Sequence, residues 1–170
     1  MTATANTRRE NVRDQRSSRH GTFVIERRYE APPPLVFSAW ASREAKARWF
    51  HGPRAEWTEM LRELDFRVGG RERVLGTRMS TGHVHAFDSR YYDIVPDQRI
   101  VYAYEMHMDD VKISVSLATV EFKPDGGGTR MIFTEQGVFL DSFEDGGGRE
   151  QGTRALLDQL GAALSGSGSR

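Results

Sequence analysis

The chain has 170 residues, with 24 Lys plus Arg balanced by 24 Asp plus Glu, and no cysteine. A zero formal net charge supplies no global field to attract nucleic acid or an anionic membrane. The missing thiols exclude disulfides and thiolate zinc sites, and the length suits one domain that buries roughly 70% of its unfolded surface.

No apolar run approaches the roughly 18 residues of a membrane span, and no apolar segment near the N-terminus reads as a secretory signal. A cytoplasmic protein is the expectation. Residues 1–20 are arginine-rich, lack hydrophobic period and contain one large aliphatic side chain beyond Met1, namely Val12. They read as a disordered arm. Glu10 and Asp14 within it weaken both a nucleic-acid and a transit-peptide reading.

Thr22 to Tyr29 alternates as a strand until Pro32-Pro33-Pro34 stops it. The last of these prolines suits a first helical turn, and Leu35 to Trp40 follows with Val36, Phe37 and Trp40 at helical spacing. Ser42 is placed to cap a second short helix, Arg43 to Trp49, which His51-Gly52-Pro53 breaks. From Trp57 the period becomes two. Strands are expected over Thr58 to Asp65, Arg71 to Met79, His83 to Ile94, Arg99 to Met108, Val111 to Phe122 and Thr129 to Phe139. Turn chemistry separates them, and Gly126-Gly127-Gly128, lying between two strands, reads as a hairpin and not a phosphate loop.

Arg149 to Leu164 is the one long helix, striped by Thr153, Leu157, Leu160 and Leu164. Gly152 and Gly161 within it suggest close approach to the sheet. Ser165 to Arg170 is a Gly/Ser tail. Seven antiparallel strands with one substantial helix imply an α+β fold in which the sheet curls around that helix.

Tyr29-Glu30-Ala31-Pro32, Val36-Phe37-Ser38-Ala39-Trp40 and Trp49-Phe50-His51-Gly52-Pro53 resemble the opening of the family named after the activator of Hsp90 ATPase. The resemblance continues through Val68-Gly69-Gly70, Ile94-Val95-Pro96, Arg99-Ile100-Val101-Tyr102, Val120-Glu121-Phe122, Gly128-Thr129-Arg130 and Glu135-Gln136-Gly137. It implies a helix-grip, START-like domain over residues 21–164, with a cavity for a small hydrophobic ligand between sheet and helix. It implies no cofactor. Family members often carry Gly-Trp where this chain has Gly152-Thr153, a change that would widen the pocket entrance.

Tyr102, Tyr104 and Met106 share one strand face with Ile100, opposite Val101, Ala103, Glu105 and His107, and charge assigns the first set inward. Met131, Phe133 and Glu135 align in the same way. With Trp49, Phe87 and Leu160, the residues Tyr102, Tyr104, Met106, Phe133 and Glu135 form the expected ligand-binding set. For any one of them ordinary core packing is the favoured account, while the set together is expected to include pocket walls.

Glu135 is the candidate acid/base of an alternative reading, a cyclase- or hydrolase-type enzyme. A third reading is a chaperone or regulator interaction module. His83 and His85 share a strand face and need a third ligand, such as His107, before they could hold a metal. Asp88 and Arg90 would then face outward; the opposite register would bury them as an ion pair. Trp40 is expected to pack its helix on the sheet rim. Neutral charge leaves a homodimer through the outer strand faces unopposed.

Overall fold

The computed structural model describes residues 16–143 and 146–166. Seven strands, β1 (Ser18–Tyr29), β2 (Trp57–Leu64), β3 (Arg71–Arg78), β4 (Val84–Val95), β5 (Arg99–Met108), β6 (Val111–Asp125) and β7 (Gly128–Leu140), form one sheet. Its order is β1-β7-β6-β5-β4-β3-β2, antiparallel throughout. Helices α1 (Pro33–Ala41) and α2 (Arg43–Ala47) follow β1, and α3 (Gly146–Gly166) follows β7. No helix among the described residues is long and apolar enough to cross a membrane.

The local chemistry explains most boundaries. Pro33 and Pro34 occupy the first turn of α1, where a missing N–H costs nothing. The Ser42 hydroxyl accepts from the Ala45 amide at 3.1 Å and caps α2, which is shorter than its expected reach to Trp49. Between Asp125 and Gly128, Gly126 and Gly127 both hold positive φ, the condition a two-residue type I′ hairpin imposes.

Two expectations fail at the termini. Strand β1 begins at Ser18 rather than Thr22, paired with β7 from Ser18 opposite Leu140. Asp141 secures that end by accepting from the Ser17 amide and the Arg16 guanidinium, each at 2.9 Å. The expected arm boundary at residue 20 therefore falls inside a strand, and residues 1–15 lie outside the described residues. At the other end α3 runs from Gly146 to Gly166, longer than expected at both ends, and residues 167–170 lie outside the description.

Bulges in β2, β4 and β6 add one residue to a strand and sharpen its twist. Met60 and Tyr92, the extra residues in two of them, project to solvent. The curled sheet buries Ile25, Ile100, Val120, Phe122 and Met131 against Val36, Phe37 and Trp40 of α1 and Leu157 and Leu160 of α3. Helix α3 packs chiefly on β1 and α1. That seat, fixed where Tyr29 donates to the Leu157 carbonyl at 2.8 Å, leaves the β3–β5 side of the concave face less covered.

Candidate functional site

The uncovered half of the concave face is a cavity of about 540 Å³, walled by the sheet, the segment around Trp49–Trp57 and the α3 residues Gly148 to Gln159. Trp49, Phe87, Tyr102, Tyr104, Met106, Phe133 and Glu135 all line it. Leu160 does not. It is fully buried in the core, and Leu156 and Leu157 supply the helical wall instead. Alternation on β4 and β5 produces most of this surface: Phe87, Tyr102 and Tyr104 form a run of ring contacts 4.8–6.5 Å between centroids.

At the buried end stands a polar group that alternation reveals only in part. Glu135 on β7 accepts from the Tyr104 hydroxyl at 2.7 Å through Oε1. Arg149, near the start of α3, donates through Nη1 to the same oxygen at 3.2 Å, to Tyr104 at 2.7 Å and to Ser116 at 3.3 Å, and through Nη2 to Ser114 at 2.7 Å. Strand neighbours make this convergence: Tyr104 pairs with Ser116, and Glu135 with Ala118. Gly137, opposite Ser116, leaves the room, since a Cβ there would fall 2.8 Å from the Ser116 hydroxyl.

Burial pushes the Tyr104 phenol pKa upward against the opposing pull of Arg149, so this group stays a hydrogen-bond donor. The second Glu135 oxygen, Oε2, is buried with no hydrogen-bond partner among the described residues. Leaving a buried polar atom unpaired costs about 1–3 kcal/mol.

Arg149 is absent from the residues expected to bind ligand, though two features of the sequence mark it. The stripe of Thr153 and Leu157 extends back one turn to Arg149, and a cation in a first turn opposes the helix dipole unless a carboxylate meets it.

A second buried group lies behind the aromatic wall. The Lys46 ammonium donates to Glu72 Oε2 at 2.6 Å, and Tyr91 donates to the same oxygen at 2.7 Å. Trp40, Phe50 and Tyr102 rings surround the amine at 4.7–5.7 Å. Desolvation lowers the Lys46 pKa more strongly than Glu72 raises it. Neither Lys46 nor Glu72 lines the cavity; they tie α2 to β3 and β4.

Around the remaining wall Arg62 chelates Glu59 and donates to the Phe50 carbonyl at 2.7 Å. Gln159 donates to the Trp49 and His51 carbonyls at 2.9 and 3.0 Å, joining α3 to that turn. Trp49 donates to Ala39 at 2.9 Å and packs edge-on against Trp40 at 4.6 Å.

The histidines do not converge. His83 precedes β4 and bonds Asp109 at 2.8 Å, while His85 lines the cavity beside Trp57. No cluster of three or more metal-binding side chains occurs among the described residues. Phe87, Ser89 and Tyr91 face inward, which puts Asp88 outward against Arg71. That arginine's hydrogen bonds hold the Asp88 carboxyl below its usual range, and the alternative of an inward Asp88–Arg90 pair is overturned.

A curled antiparallel sheet gripping one C-terminal helix over a cavity defines a helix-grip protein of the START-like class. The profile of the family described as Activator of Hsp90 ATPase homolog 1-like protein matches residues 30–165, and the chain belongs to that family. An uncharacterized protein from Rhizobium leguminosarum is 50% identical, over 89% of this chain and 98% of its own, with a TM-score of 0.83. A Rhizobium loti protein is 42% identical over 86% and 99%, with a TM-score of 0.79. A family member from Aeromonas hydrophila, 20% identical over 87% and 94% with a TM-score of 0.63, shares the fold. No curated protein matches the chain.

Proposed function

We propose that this protein binds a small, largely apolar molecule in the cavity between sheet and α3, with Trp49, Phe87, Tyr102, Tyr104, Met106, Phe133 and Glu135 contacting it. The cavity itself carries the reading. Its volume of about 540 Å³ falls within the roughly 300–1,000 Å³ of small-molecule sites, and aromatic walls with a few convergent polar groups are their usual lining. Apolar burial contributes affinity of about 25 cal/mol per Å², less the ordering costs of association.

Proton transfer by Glu135 is the second reading, and the 2.7 Å bond from Tyr104 favours it. Weighing against it, Arg149 neutralises the carboxylate and burial makes the phenol a poor acid. Binding is therefore preferred over turnover.

Thermal unfolding against a panel of aromatic and alicyclic compounds tests the proposal. A single-site ligand at a hundredfold excess over Kd adds about 2.7 kcal/mol, a rise in Tm of roughly 5–10 °C. Native mass spectrometry should show one ligand per chain. A panel in which no class of compound raises Tm overturns the reading.

A further inference from the structure

The cavity wall contains two kinds of unpaired polar atom. Trp40 Nε1 and Arg62 Nη1 are donors, and Glu135 Oε2 is an acceptor. Glu135 is the informative one, because it is 1% exposed, belongs to the lining and already uses its other oxygen for Tyr104 and Arg149. An ionic acceptor in a low-dielectric site discriminates strongly among the groups brought against it.

The charges around that oxygen narrow the class. Arg149 balances Glu135 within 3.2 Å, and behind the wall Lys46 balances Glu72 at 2.6 Å. A ligand carboxylate would meet Glu135 with like charge. Beside Glu135, the Arg149 guanidinium that could attract it already donates to Ser114, Ser116, Tyr104 and Glu135, and the Arg62 donor belongs to the β2 wall, where Arg62 chelates Glu59. A ligand ammonium would bring a second cation beside Arg149. A neutral hydroxyl satisfies Oε2 without disturbing either balance, and the aromatic rings beside it accept a flat apolar body.

We infer that the ligand is a neutral aromatic alcohol or phenol, whose hydroxyl donates to Glu135 Oε2. This rests on the cavity-binding reading above and specifies the ligand class. Tyr104 and Arg149 act through Glu135, holding the carboxylate in one orientation.

The test compares five probes of one shape by isothermal titration at neutral pH: naphthalene, 2-naphthol, 2-methoxynaphthalene, 2-naphthoate and 2-naphthylmethylammonium. 2-Naphthol should bind about tenfold or more tightly than 2-methoxynaphthalene, the scale of one hydrogen bond to a charged group. It should also exceed naphthalene, against the order that hydrophobicity alone dictates, while both charged probes fall below naphthalene. In Glu135→Gln the naphthol-to-methoxynaphthalene ratio should drop below about threefold. The wild-type ratios decide the matter even if that variant fails to fold.

Equal affinity for naphthol and methoxynaphthalene would overturn the hydroxyl assignment while leaving cavity binding intact, with an ordered water satisfying Oε2. Tightest binding of naphthoate would overturn it in favour of anion capture by Arg149. Binding of none of the five would overturn both this inference and the reading beneath it.

Discussion

Lys46 and Glu72 are each 1% exposed, and their worth depends on which one is removed. A buried ion pair gains little over an apolar pair of the same shape, but a single unpartnered charge in the same place is costly. Lys46→Met leaves Glu72 with only the Tyr91 hydroxyl, and should lower stability by about 3–5 kcal/mol in urea unfolding. Lys46→Met combined with Glu72→Leu should lose less than either single change. Losses that simply add would show that the two groups do not couple. Nothing in the sequence points to this pair, for a physical reason: its members lie 26 residues apart on different elements. Each taken singly is an ordinary charged residue expected at a surface. Glu135 is legible because its own strand carries Met131 and Phe133 at the same parity. Arg149 is not, because it lies in α3 and its carboxylate comes from β7.

Two glycines in α3 look alike in sequence and differ in their surroundings. Their positions in the helix suggest that both approach the sheet closely. Gly161 is one: a Cβ there would stand 3.2 Å from Tyr29 Cε1, on a ring anchored through its hydroxyl to Leu157. Gly152 is not, for a Cβ there meets nothing within 4 Å and the residue faces the cavity. Gly152→Ala should therefore gain the full helix-propensity difference, about 0.5–1 kcal/mol, seen as a Tm rise of roughly 1–4 °C. Gly161→Ala should gain nothing or lose stability, because the ring cannot withdraw without breaking its hydrogen bond. A gain of equal size at both positions would contradict this account. The start of β1 illustrates the complementary gap. Ser18 to Gly21 offers no apolar alternation, since backbone pairing with β7 and the Asp141 anchor hold it in the sheet. Strands with one buried face were legible, and a strand end held by main-chain bonds was not.

Across the whole molecule, the space for a ligand follows from how few elements cover a large sheet. Seven strands curl around one helix that sits toward β1, and two short helices close only part of what remains. The order of elements made that architecture readable in advance, whereas the volume of the gap depends on where α3 rests, which no periodicity encodes. If the gap exists for binding rather than as a defect of packing, filling it should spare the fold and remove the function. Thr153 is the place to try: it is largely buried, lines the cavity, and its hydroxyl only returns to the Arg149 carbonyl of its own helix at 3.0 Å. Thr153→Trp adds an aromatic body whose burial contributes about 1.5–3 kcal/mol, offset by about 1–3 kcal/mol where the fit forces neighbours to shift. Tm should stay within a few degrees of wild type, while the ligand-induced rise in Tm disappears. A variant that keeps its ligand response would place the binding site elsewhere on the molecule. One that unfolds outright would mean the space beside Thr153 is too small to admit an indole, and hence too small on that side to hold the aromatic ligand inferred here.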